Sequence, residues 1–457
     1  MKKIIVGVQM LFVAFGALVL VPLITGLDPN VALFTAGAGT LIFHLVTRGK
    51  VPVFLASSFA YIAPILVATK LYGIKGTLCG LAAAGLVKML FGGFIKWRGI
   101  GFIDKLLPSY VIGPVIMVIG LSLAPVAIGM IKNTPDAPHN MALAGIAFGM
   151  TVIFALFGKG VMKLTPILAG IAFGYAAAIL FGDIDFTPIK NAAWFSVPSF
   201  TLPAFNWKAI LYIVPVAIAP AIEHIGDIMV ISDITGEKFY EKPGLHRTMF
   251  GDGIATTAAS FLGGPPNTTY SEVTGAVALT RVFNPVVMRI AAVTAILLAF
   301  FGKVGAVLKT IPAPVMGGIM VILFGSIAAI GVKNMIQNKT NLDSNKKLII
   351  VAVILVIGIG GAVFDIPWQG VYGIFLASLA GLLYHLIKLR KDKSDFRVSS
   401  AIFITMVTLL FVILSYVAVR FQITLSLAGI GLAGIIGVFL NMILPEEKAV
   451  ATEFNDI

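Results

Sequence analysis

Apolar residues recur along this chain in runs of about twenty separated by short polar stretches, and that alternation predicts most of the architecture. The runs fall near residues 5–25, 30–47, 52–69, 76–95, 107–130, 142–158, 164–182, 209–232, 248–264, 265–280, 285–308, 314–333, 347–364, 370–388, 398–419 and 424–444. A helix crosses the hydrocarbon of a bilayer with about 20 apolar residues, so the pattern predicts sixteen crossings. Two runs are poor helices. Pro52 and Pro64 bracket the third, and Gly263-Gly264-Pro265-Pro266 opens the tenth, followed by β-branched and hydroxyl residues. Irregular backbone at membrane depth is tolerated only where protein covers it or a cavity adjoins it. The two broken segments are therefore expected to face each other at a midplane binding site, with free backbone N–H groups available to a ligand.

Composition sharpens this picture. Of the 457 residues 59% are hydrophobic and only 12% charged, against roughly 25% charged in a soluble domain. That excludes a large soluble catalytic domain. The net charge of +13 does not indicate nucleic acid, because the basic residues are dispersed through short loops. With the amino terminus in the cytoplasm, 24 Lys and Arg fall in loops predicted inside and 8 in loops predicted outside, while Lys88 falls within a run. This bias predicts a multi-pass cell-membrane protein with both termini cytoplasmic. Met1-Lys2-Lys3 and the long apolar stretch after it read as an uncleaved first crossing. Trp97, Trp194, Trp207 and Trp368 stand at or beyond run ends, where the membrane interface favours amphipathic rings. Cys79 is the single cysteine and has no partner for an intrachain disulfide.

An internal repeat is visible. Leu107-Pro108-Ser109-Tyr110-Val111-Ile112-Gly113-Pro114 opens the fifth run, and Ile311-Pro312-Ala313-Pro314-Val315-Met316-Gly317-Gly318 opens the twelfth. Seven crossings separate them, an odd number, so the copies run in opposite directions through the membrane. The third and tenth runs pair at the same spacing. There Ala56-Ser57-Ser58-Phe59-Ala60 faces Asn267-Thr268-Thr269-Tyr270-Ser271, which sets Phe59 opposite Tyr270 and suggests an aromatic pair gripping a flat ligand.

Four acids fall inside predicted crossings: Glu223, Asp227, Asp252 and Glu272. Each costs about 2.5–3.5 kcal/mol on insertion scales, so their presence points to function. Glu223 and Asp227, spaced i, i+4, share a helix face and are expected to titrate together as a proton-coupling device, with His224 turned away in a supporting place and Asp252 as a further coupling candidate. No Walker loop, dinucleotide fingerprint, metal-spaced cluster or nucleophile elbow occurs, so no enzyme, cofactor or metal is expected.

These residues carry a resemblance. Glu223-His224-Ile225-Gly226, Lys242-Pro243-Gly244-Leu245-His246-Arg247, Pro266-Asn267-Thr268-Thr269-Tyr270-Ser271-Glu272 and Thr280-Arg281 together resemble the uracil/xanthine permease family of nucleobase:cation symporters, above all its bacterial uracil permeases. The likeness covers roughly residues 5–365 and the last run. It implies an all-α polytopic protein of seven-plus-seven inverted repeats, with short antiparallel strands in the third and tenth segments, a core domain (1–105 and 209–309) and a gate domain (106–208 and 310–457). It further implies a homodimer importing uracil by alternating access with protons as coupling ion. Carried over by position, Glu223 and Glu272 accept from ring N–H groups, the backbone N–H groups of Phe59 and Ser271 meet ring carbonyls, and Phe59, Tyr270 and Ala17 shape the slot.

Departures from the family pattern bear on the substrate. Asp227 stands where the best-known uracil permeases carry histidine and purine members often carry aspartate; Ser271 replaces the usual glycine and should narrow the slot; Val273 replaces an asparagine. Xanthine is thus the alternative within the family, and an anion exchanger of the same architecture the more distant one. Length is a further departure: the family has fourteen crossings, so 370–419 is either an insertion or a duplicated helix pair.

Overall fold

The protein is described by a computed structural model over residues 2–99, 101, 105–132, 137–361, 363–366 and 425–444. Fourteen of the sixteen apolar runs fall on these residues; the runs at 370–388 and 398–419, the basic stretch 388–397 and the tail beyond Leu444 lie outside them. The helices are α1 (Lys2–Thr25), α2 (Pro29–Val46), α3 (Ile62–Arg98), α4 (Ser109–Leu121), α5 (Ala124–Lys132), α6 (Ala137–Phe157), α7 (Val161–Leu164), α8 (Pro166–Phe181) and α9 (Thr187–Asn191). They continue with α10 (Trp207–Ile213), α11 (Ile218–Thr235), α12 (Leu245–Phe261), α13 (Ser271–Thr280), α14 (Val286–Ala299), α15 (Gly302–Lys309), α16 (Ala313–Gln337), α17 (Asn345–Ile359) and α18 (Gly429–Ile443). Among the described residues, seven helical stretches are long and apolar enough to cross a membrane by length and composition.

Local chemistry sets the boundaries. Asp28 caps α2 by accepting from the N–H groups of Asn30 (2.8 Å) and Val31 (3.3 Å), and Pro29 takes the first helical position, where no N–H is needed. The third and fourth runs join as α3, bent at Gly73, whose φ of 71° is open to glycine without strain.

Strands β1 (Leu55–Ser57) and β2 (Asn267–Thr269) pair antiparallel, with Ala56 opposite Thr268 at the centre. A 3-10 turn (Phe59–Tyr61) follows β1 and α13 follows β2. The two-fold relation through Ala56 and Thr268 makes Ser271 the counterpart of Phe59. The expected equivalence of Phe59 with Tyr270 is therefore off by one residue, because the sequence match followed the two hydroxyls and the aromatic rather than the strand ends. The other repeat match holds in register: Pro108 and Pro312 are the N-caps of α4 and α16, which pack together.

The halves match in packing too. Helix α2 crosses α14, and α12 crosses the second part of α3. A Cβ on Gly37 would run into the Ala292 carbonyl and the Ile296 N–H; one on Gly253 would meet the Gly85 carbonyl at 2.7 Å and the Met89 N–H at 2.8 Å. Close backbone approach at small residues is how helices associate without a hydrophobic driving force. Hydroxyls repeat as well. The Leu55 N–H donates to Thr40 Oγ1 (2.9 Å), and Thr256 Oγ1 donates to the Asn267 carbonyl (2.6 Å).

Helix α18 packs on α17 and α4 as α8 packs on α6 and α16, so it holds the place of the final family helix. Strands β3 (Val363–Ile366) and β4 (Leu425–Ala428) pair antiparallel just before it. The additional length therefore lies between α17 and α18.

Candidate functional site

The strand pair brings two helix starts together, one at Phe59 and one at Ser271. The first N–H groups of a helix have no acceptor a turn earlier. Among the described residues no hydrogen bond takes up the N–H of Phe59 or Ser271, whereas the neighbouring Ser58 N–H donates to the Pro266 carbonyl (2.9 Å). Two donors therefore face the space between the broken segments.

Around them the acids divide by access. Glu223 on α11 and Glu272 in the first turn of α13 are partly open, and Glu223 Oε2 has no hydrogen-bond partner among the described residues. Asp227, Asp252 and His224 are buried. Two hydroxyls satisfy Asp227: Thr269 donates to Oδ2 (2.8 Å) and Ser271 to Oδ1 (2.6 Å). No hydrogen bond joins Glu223 to Asp227 among the described residues, although the two share a helix face as the spacing requires. The Ser271 hydroxyl expected to narrow the slot is turned to Asp227 instead.

His224 shares the Thr269 hydroxyl with Asp227. Its Nδ1 lies 3.3 Å from Thr269 Oγ1 and 3.7 Å from Asp252 Oδ1, and Phe43 packs edge-on against it at 6.3 Å. Asp252 pairs with Lys88 of α3; both side chains are fully buried.

Phe59 and Tyr270 are neighbours, with ring centroids 6.1 Å apart and planes tilted by 39°. A planar ligand between two ring faces needs about 7 Å, twice a carbon contact of ~3.5 Å. The pair is therefore not a clamp around a ligand. The converging helix starts press the rings together, and Phe324 of α16 closes on Phe59 edge-on at 5.9 Å, so the aromatics form one wall. Ala17 of α1 is buried in the same apolar cluster, and the buried Tyr270 hydroxyl faces Glu272.

Sequence reasoning missed Lys88, Thr256 and Asn267 as members of this network, and assigned Thr269 nothing. The Lys88 ammonium lies 3.3 Å from Thr256 Oγ1 and 3.4 Å from the Asn267 carbonyl, and Asn267 Nδ2 donates to the Thr35 carbonyl (2.7 Å). One signal was available: a lysine and an aspartate each stranded within an apolar run need each other. Among the described residues no group of three or more His, Cys, Asp or Glu side chains is arranged to hold a metal ion.

Known proteins agree with this architecture. Over residues 1–366 the chain matches the family model Xan_ur_permease, described as "Permease family". A probable uracil permease of Pasteurella multocida is 52% identical over 389 residues, covering 84% of this chain and 93% of the relative. The uracil permeases of Bacillus caldolyticus (43%; 84% and 91% covered) and Escherichia coli K12 (38%; 85% and 91%) are similar along the same length. Among solved structures, the transmembrane domain of the cyanobacterial bicarbonate transporter BicA superposes with a TM-score of 0.59 at 16% identity, over 78% of this chain and 94% of that one. The anion transporter SLC26A9 does so at 0.59 and 12%, over 78% and 62%. These structures share the seven-plus-seven inverted-repeat fold. The chain thus belongs to the uracil/xanthine permease family: it is a multi-pass membrane transporter, not an enzyme.

Proposed function

We propose that this protein imports uracil together with protons, as a homodimer in the cell membrane with both termini cytoplasmic. One observation carries the reading: two partly open glutamates and two unpaired helix-start N–H groups converge at the strand crossing. Two acceptors and two donors match the two N–H and two C=O groups of uracil, and each buried group left unpaired would cost about 1–3 kcal/mol. Glu223 and Glu272 accept from the ring; the Phe59 and Ser271 N–H groups donate to it; Phe59, Tyr270 and Ala17 form the wall. A proton taken up at Glu223 makes that carboxyl neutral, which is how a driving ion and a hydrogen-bonded base become linked at one group. Asp227 and His224 support this step from behind. The names of the relatives favour uracil over xanthine.

Uptake of radiolabelled uracil into proteoliposomes with an inward proton gradient tests the reading. Excess unlabelled uracil should abolish the signal, xanthine should compete weakly, and a protonophore should collapse accumulation. Stronger competition by xanthine would reassign the substrate, and accumulation indifferent to the gradient would remove the proton. With Cys79 replaced, single cysteines at Ser199 and Asn341 should label from opposite membrane faces.

A further inference from the structure

The two halves differ most at one place. In the α2–α14 crossing Gly37 abuts Ala292 and Ile296, and in the α12–α3 crossing Gly253 abuts Gly85 and Met89. That register makes Ala36 the counterpart of Asp252 and Ala295 the counterpart of Lys88. Ala36 and Ala295 are fully buried, so the same helix crossing is built once from alanines and once around an ion pair. The fold does not need the charges.

Where they occur, oxygens surround the ammonium. Asp252 Oδ2 is its ion-pair partner, with Thr256 Oγ1 at 3.3 Å and the Asn267 carbonyl at 3.4 Å. A carboxylate, a hydroxyl and a backbone carbonyl are the hard donors that an alkali cation takes. Asn267 opens β2, the strand that leads directly to Tyr270, Ser271 and Glu272. Through His224 and Thr269 the same cluster reaches Asp227.

We infer that Lys88 is a tethered cation filling an alkali-cation site behind the substrate pocket, so that the pocket is held in order without sodium. This takes Asp252 out of proton coupling, since its charge is answered by a group that never leaves. Lys88 is a positioning residue, and the inference rests on the nucleobase reading of the neighbouring pocket. Its removal opens a cage with one negative charge and two neutral oxygens. A monovalent cation restores both charge and order there, whereas choline is too large to enter.

The test uses full-length protein and radiolabelled uracil binding in sodium chloride or choline chloride at equal ionic strength. Wild-type protein should bind equally in both. Lys88→Ala should bind at least about tenfold more weakly in choline chloride, a shift of roughly 1.4 kcal/mol, and recover in sodium chloride. Lys88→Ala/Asp252→Asn, which lacks the charge that attracts the ion, should show no sodium response. Folding of Lys88→Ala only in sodium chloride, read by size-exclusion profile and melting temperature, would support the inference equally. It is overturned by a sodium-dependent wild type, by Lys88→Ala that binds normally in choline, or by Lys88→Ala that sodium neither refolds nor restores. Absence of uracil binding by the wild type in either salt would instead refute the substrate assignment; the sodium response of melting temperature in Lys88→Ala then still decides the cation site.

Discussion

The α2–α14 crossing and the α12–α3 crossing are the same piece of backbone used twice, and they divide structure from chemistry. Both rest on a glycine against a neighbouring helix, and both use a threonine to hold a strand, Thr40 for Leu55 and Thr256 for Asn267. Only the second carries charge, and the four acids that fall inside apolar runs, Glu223, Asp227, Asp252 and Glu272, all belong to the second repeat. Symmetric backbone supplies two opposed helix starts. Asymmetric side chains then give a ligand one orientation, since a two-fold site would bind it equally well two ways.

The largest expected effect breaks the shared part. Gly253→Leu and Gly37→Leu should each abolish monodisperse protein on size exclusion, because each Cβ meets backbone that cannot yield. A well-behaved Gly37→Leu beside a collapsed Gly253→Leu would show that the crossings are not equivalent. Next come the glutamates. Glu223→Gln and Glu272→Gln each replace a carboxylate acceptor by an amide, and uracil binding by calorimetry should weaken by about 1.5–3 kcal/mol with the folded yield unchanged. Retained affinity in both would move the site elsewhere.

Asp227→Asn acts more selectively. It keeps the pocket contacts and disturbs the acceptor for Thr269 and Ser271, so gradient-driven accumulation should fall several-fold while equilibrium binding changes by less than about 1 kcal/mol. Equal loss of both would make Asp227 an ordinary pocket residue. The smallest effect belongs to the first half. The buried Ser58 hydroxyl has no hydrogen-bond partner among the described residues, so Ser58→Ala should leave folding stability within about 0.5 kcal/mol of wild type and uptake unchanged.

Much of this was legible in the chain. Proline and glycine around 52–69 and 263–266 announced the broken segments, since few other residues interrupt an apolar run so firmly. The four acids announced themselves by their cost in hydrocarbon. Register was not legible: Phe59 aligns with Tyr270 by residue type and with Ser271 by strand ends, and only pairing across the membrane decides. Partner choice was hidden for the same reason. Lys88 and Asp252 are 164 residues apart, and only the glycine crossing brings them together. The direction of the Ser271 hydroxyl depends on Asp227 one helix away, which no local pattern encodes.

Helix α2 reaches both strands, through Thr40 to Leu55 and through the Thr35 carbonyl to Asn267, while Thr256 of α12 holds Asn267 from the other side. Parting β1 from β2 would break their own pairing and force α2 to release one strand or the other, in a place that water does not reach, at about 1–3 kcal/mol for each bond lost. Mechanically the pair is a stiff plate. Ligand cannot escape by slipping between the strands, and any displacement of one strand carries the other, with both helix starts, as one body.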